Sequence, residues 1–178
     1  MSKVKLNILI IEEDLNRIEL IKQYLDVSSS VQWNIQTAHR LVDGLGVLSL
    51  QPIDIVLTAL DLPDSMESAG VKLVQEHISA VPIVIVANDI DVSKETELME
   101  IGVQDYLIAD NCDSESLDRA LRLAIARQKL LLKYKNAEDK LALRIIELEK
   151  MNDLMVNREI VITSLKRELR EIQQKQIQ

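Results

Sequence analysis

Few side chains in this sequence can do chemistry, and most of those are carboxylates. Glu12 and Glu13 stand together directly after the apolar run NILII, Asn7–Ile11. Two adjacent carboxylates attract a divalent cation, but alone they hold Mg²⁺ poorly, because that ion demands near-octahedral oxygen ligation. Asp61, in LDLPDS, reads as a solvated loop carboxylate. Asp89 and Asp91 suit the first turn of a following helix, where negative charge complements the dipole. His39 reads as a capping or surface residue near a helix start and His77 as an exposed helical one. They are too isolated to form a metal pair or a catalytic base. Cys112, the single cysteine, lies in the acidic loop DNCDSES with no basic neighbour to lower its pKa. One cysteine excludes an intramolecular disulfide framework and fits a reducing compartment. No glycine-rich phosphate loop, G-x-S-x-G or H-E-x-x-H pattern occurs. These residues imply no metal, no cofactor and no enzyme.

The elements that position these residues follow from two periods. Short apolar or alternating runs predict strands at Asn7–Ile11, Val31–Thr37, Ile53–Leu60, Pro82–Ala87 and Val103–Ile108. Between them, helical spacing links Leu15, Ile18, Ile21 and Leu25, then Leu41, Leu45 and Leu48, then Val71, Leu73, Val74 and Ile78. Leu98 and Ile101 mark a fourth helix stopped by Gly102, a residue suited to the position past a helix end. Ser114 is the expected N-cap of a fifth. Strands alternating with helices demand a mostly parallel, doubly wound sheet, an α/β fold. Sites in such sheets form in the loops at the strand C-termini. Those loops are Glu12–Asp14, Ala59–Ser68, Ala87–Asp91 and Ala109–Asp113.

The strings ILIIEED, DIVLTALDLPDS, PIVIVA and VQDYLI, in that order and spacing, resemble the receiver domain of two-component response regulators. The resemblance covers roughly residues 5–127 and implies a five-stranded, flavodoxin-like (CheY-like) domain. It also implies phosphoryl transfer onto an aspartate ending the third strand, with an acidic pair after the first strand helping to hold Mg²⁺. A Ser/Thr after the fourth strand and a Lys after the fifth would bind the phosphoryl oxygens. Carried over, the acidic pair is Glu12 and Glu13, the latter one methylene longer than the family's usual Asp. The acceptor position lies five residues after Asp54 and four before Pro63, and both counts give Ala59. The Ser/Thr position falls on Ala87 and the Lys position on Ala109. An alanine offers neither a nucleophile, a metal ligand nor a cation to balance a phosphoryl dianion. The resemblance is therefore to a degenerate pseudo-receiver. Asp61, two residues past Ala59, is the one substitute carboxylate.

All glycines and prolines lie at or before Gly102, so the remainder lacks helix breakers. With Leu141 at heptad position a, the a positions are Tyr134, Leu141, Leu148, Met155, Ile162, Leu169 and Gln176. The d positions are Leu130, Ala137, Arg144, Met151, Arg158, Leu165 and Ile172. Such a seam predicts a coiled coil continuous with the last receiver helix and needing a partner. The expected domains are 1–127 (pseudo-receiver) and 128–178 (coiled coil). Residues 1–125 hold 9 Lys and Arg against 21 Asp and Glu, a net −12, while residues 126–178 carry +4. An acidic body argues against nucleic acid as partner. The N-terminal apolar run is too short to span a membrane, so a cytoplasmic protein with no membrane contact is expected. With no Phe and one Trp, the core must be aliphatic. The expected function is a phosphorylation-independent signalling adaptor. It would be a homodimer that engages a sensor kinase, a response regulator or another signalling protein. The alternatives are a pseudo-receiver that senses a small molecule and an atypical phosphoacceptor using Asp61.

Overall fold

The alternation of apolar runs and helical stretches becomes five strands and five α-helices among the described residues of the computed structural model. The structure describes residues 4–27, 31–66 and 68–176, with side chains through Arg170. The strands are β1 (Val4–Ile11), β2 (Val31–Ala38), β3 (Ile55–Ala59), β4 (Ile83–Ala87) and β5 (Asp105–Ile108). The helices are α1 (Leu15–Val27), α2 (Leu41–Leu50), α3 (Ser68–His77), α4 (Val92–Ile101) and α5 (Ser114–Gln176). A single 3-10 turn, Ala109–Asn111, separates β5 from α5.

All strand pairs are parallel, in the order β2-β1-β3-β4-β5. This is the doubly wound sheet that the sequence predicts, and it brings the C-termini of β1, β3, β4 and β5 to one edge. The central strands β3 and β4 are buried at every residue, which explains their unbroken apolar composition. Side chains alternate between two cores. Leu9, Ile11, Val56, Ile83 and Ile85 pack with Leu41 and Leu48 of α2, Val71 and Val74 of α3, and Leu98 of α4. Ile8, Ile10, Ile55, Leu57 and Val84 pack with Ile18, Ile21 and Leu25 of α1 and with Leu117 and Leu121 of α5. Each fully buried Leu or Ile contributes about 1.5–3 kcal/mol, so two aliphatic layers hold the fold without Phe. Helix α2 approaches β1 so closely that a Cβ on Gly44 would lie 2.5 Å from Ile11 Cδ1. Gly102 ends α4 in the left-handed region, at φ 104°.

Several boundaries differ from the sequence reading. Strand β1 starts at Val4 because it pairs with β2 from Val4↔Val31 onward. Strand β3 starts only at Ile55. Asp54 instead closes the ladder end, its carboxylate accepting from the Asn7 amide at 2.7 Å and its own amide donating to the Asn7 carbonyl at 2.8 Å. Pro82, Val103 and Gln104 flank strands rather than belong to them. Leu15 and Leu73 face solvent, so the apolar stripes of α1 and α3 are narrower than their spacing suggests. The N-cap of α5 is Asp113, not Ser114. Asp113 Oδ1 accepts from the Ser116 amide at 2.8 Å, and Ser116 Oγ accepts from the Asp113 amide at 2.9 Å, a reciprocal cap. Asp91 caps α4 by accepting from the Lys94 amide, as the carboxylate pattern predicts.

The chain packs as two units, Met1–Leu132 and Lys133–Gln178. No described helix is long and apolar enough to cross a membrane.

One cap comes from a distance. Arg40, at the N-cap of α2, makes no side-chain cap bond. The Asp64 carboxylate takes that role, accepting from the Leu41 and Val42 amides at 2.8 and 3.0 Å. The Val42 amide most strongly, then the Leu41 amide, hold the Asp64 carboxyl below its ordinary value against some desolvation. A depressed folded-state pKa stabilises fully above the unfolded value of about 3.9 and is lost as pH falls through the folded value. Asp64→Ala should therefore lower urea resistance at neutral pH, and the gap to the parent should close under acid. A gap that persists unchanged in acid would sink this assignment.

Candidate functional site

The edge where β1, β3 and β4 end carries a cavity of about 210 Å³. Its walls include Glu12, Glu13, Ala59, Asp61, Ala87 and Asn88. Glu12 follows the last residue of β1 and is 3% exposed. Its amide donates to the Ala38 carbonyl at the end of β2, which fixes the backbone there. A buried carboxylate needs partners, because desolvation otherwise disfavours its charge. Glu12 Oε1 accepts from the Asp14 amide at 3.0 Å, and Glu12 Oε2 accepts from Arg17 Nη1 at 3.0 Å. Arg17 Nη2 donates at 2.8 Å to Asn88 Oδ1, the residue after β4. One guanidinium thus ties the end of β1 to the end of β4.

Arg17 sits at this spot because Asp14 starts α1. The Asp14 carboxylate accepts from the Asn16 amide at 2.9 Å, and its carbonyl accepts from the Ile18 amide at 3.0 Å. The first turn then directs Arg17 back over Glu12. The sequence reading missed Arg17. The signal was a cation in the first turn of a helix, where the dipole disfavours it unless a carboxylate compensates.

Ala59 and Ala87 close β3 and β4, both about 6% exposed, and both line this cavity. Ala109 does not share it. Ala109 opens the 3-10 turn and lines a second cavity, of about 250 Å³, against α1. The three alanines expected around one pocket are therefore divided between two. Asp14, Arg17 and Val86 line both cavities. Glu13 is exposed at the rim, as is Asp61. The Asp61 loop is pinned just beyond it. Leu62 is buried, and Leu62 and Ser65 exchange backbone hydrogen bonds of 2.8 and 3.1 Å across a turn that also holds Asp64 on α2.

The other candidate residues fall outside the site chemistry. His39 approaches the Glu12 carbonyl with Nδ1 at 3.3 Å. His77 pairs with Ser49 through Nε2 at 2.8 Å. Burial, chiefly, raises the Cys112 thiol above its ordinary value. Among the described residues, no group of three or more His, Cys, Asp or Glu is placed to hold a metal ion. The residues do not fit Mg²⁺. Glu12 already spends one oxygen on the Arg17 guanidinium, and Ala59 offers none.

Along α5, the expected seam residues Leu130, Tyr134, Ala137, Leu141, Leu148, Met151, Met155, Ile162, Leu165 and Leu169 are exposed in the single chain. The side chains of Ile172 and Gln176 lie outside the described ones. Arg144 bends along its own helix to Glu147, Nη1 to Oε2 at 3.3 Å.

The family model of the response regulator receiver domain matches residues 8–122. The chain belongs to the response regulator receiver family. Among solved structures it is similar to a receiver domain protein from Clostridium thermocellum, at 23% identity and TM-score 0.62, covering 71% of this chain and 98% of that one. It is likewise similar to a CheY-like receiver domain protein from Methanospirillum hungatei, at 16% identity and TM-score 0.61, covering 72% and 98%. A fusion carrying the trimeric coiled coil of yeast Spc42 matches at 18% identity and TM-score 0.63, covering 87% of this chain and 99% of that one. At these identities the likeness is one of fold. No curated protein matches the chain.

Arg17→Ala should leave a buried carboxylate without its cation and cost about 1–3 kcal/mol in urea unfolding. Adding Glu12→Gln should recover part of that loss. If Arg17→Ala unfolds like the parent, the pair does not hold the site together.

Proposed function

We propose that this chain is a phosphorylation-independent signalling adaptor, a pseudo-receiver in two-component-type signalling with no enzymatic activity of its own. The observation that carries this reading is the Arg17 guanidinium bonded to Glu12 and Asn88. In a phosphorylated receiver this edge gathers a cation, an acceptor carboxylate and hydroxyl and ammonium groups around a phosphoryl group. Here the cation is built into α1, and alanine stands at the positions equivalent to the acceptor (Ala59), the Ser/Thr (Ala87) and the Lys (Ala109). The buried carboxylate of this edge is matched by the chain's own arginine, which supports a site that does not depend on a bound metal ion.

The division of labour we propose is 1–127 as pseudo-receiver and 128–178 as interaction helix. Gln128 lies at that boundary and still packs on the receiver side. It is the last buried side chain described on α5, donating from Nε2 to the Ser79 carbonyl at 2.9 Å. Beyond it the apolar a and d residues are solvent-facing, and an amphipathic helix of this kind requires a partner to cover its stripe. The reading assigns that role to a second copy. The adaptor's further partner is a sensor kinase, response regulator or other signalling protein of the cytoplasm, rather than nucleic acid or a membrane.

Incubation with acetyl phosphate and Mg²⁺ should leave the intact mass unchanged. A phosphoryl adduct that disappears in Asp61→Asn would overturn phosphorylation independence and install Asp61 as the acceptor. For the helix, Leu148→Lys should convert dimers to monomers in light scattering. A parent chain that is already monomeric at micromolar concentration would remove the dimer from this reading.

A further inference from the structure

The second cavity was not anticipated by the family's chemistry. It lies between α1 and the turn joining β5 to α5, within the Met1–Leu132 unit. Its inner walls are apolar, formed by Ile21, Val86 and Ala109, with the exposed Leu20 at one side. Its rim bears Asp14 and Asp110. Ala109 is what leaves the space open, since a longer side chain at the head of the 3-10 turn would enter it. Arg17 also reaches this cavity, but its charge is already matched by Glu12. The negative charge of the mouth comes from Asp110 and from Asp14, which also accepts from the Asn16 amide at the head of α1. Both are exposed, so an arriving ligand need not desolvate a buried charge to meet them.

We propose that this cavity is a binding site for a small organic cation, a protonated amine carried on a compact apolar body. The apolar body covers the aliphatic inner walls, and the ammonium stays at the wet rim between carboxylates. This is the usual division of a small-molecule site, with apolar walls supplying affinity and a few polar groups fixing orientation. The volume of about 250 Å³ suits a single-ring compound rather than a nucleotide or a peptide. The cavity is distinct from the one at the acceptor position, since none of Glu13, Ala59, Asp61 or Ala87 lines it, although Asp14, Arg17 and Val86 border both.

Cys112 gives the test its readout, being the single cysteine of the chain and a wall residue of this cavity. Its slow alkylation by iodoacetamide at about pH 8, where an alkyl amine is still protonated, followed by intact mass in the full chain, reports occupancy. Phenethylamine is the probe, and 3-phenylpropionate, with a similar apolar body and opposite charge, is the control. Phenethylamine should slow alkylation saturably, by about tenfold at ten times its Kd, as mass action requires. The carboxylate should not slow it. Asp110→Asn should weaken the protection about fivefold, the effect of one ionic contact at a wet rim. Ala109→Leu should abolish protection by filling the cavity, and the exposed Asp110 variant keeps the test valid if that change disturbs folding. Unchanged alkylation in millimolar phenethylamine overturns the proposal. So does equal protection by 3-phenylpropionate, or full protection in Asp110→Asn.

Discussion

A buried carboxylate at the end of β1 must find positive charge, and everything at the site edge follows from how Glu12 meets that need. In this chain the answer is covalent to the fold. Arg17 reaches Glu12 from the first turn of α1 and extends to Asn88 beyond β4. A guanidinium tethered to α1 is a counterion of fixed stoichiometry. An ion drawn from solution can be exchanged and can recruit a phosphoryl group, whereas a tethered guanidinium presents no open coordination position. The alanines at the ends of β3 and β4 are consistent with that electrostatic state, because a further buried carboxylate would again need compensation.

The fold was largely legible in the residues, because the sheet's demands are local. Unbroken runs such as IVIVA can be satisfied only between two covered faces, and Leu48 or Val74 recur at helical spacing because they meet those faces. What was not legible were the strand ends. They are set by partners far along the chain, as Asp54 is by Asn7. The capping of α5 was misjudged by one residue because Asp113 and Ser114 are both good caps. Only the reciprocal bond with Ser116 distinguishes them.

The strand-end positions of the site were legible, and the arginine that reaches them was not. Ala59 and Ala87 are placed by the strings around them, which the sheet holds in register. Arg17 acquires its role only when Asn88, 71 residues away, is brought beside it. The separation of Ala109 from the other two alanines is likewise tertiary. It depends on α1 packing over the β5–α5 turn and walling off a space there. Sequence spacing locates a residue on an element but does not say which neighbour stands between it and the next.

The turn that carries Asp64 onto the start of α2 has a consequence for ions of the other sign. Helix N-termini are ready receptors for phosphate and other anions, since their first amides lack partners. The Leu41 and Val42 amides are already occupied by an internal carboxylate. With Glu12 matched by Arg17 and the head of α2 matched by Asp64, this region of the domain has satisfied both polarities from its own residues. An inorganic ion competing for Glu12 or for these two amides would have to displace a bond the fold already makes.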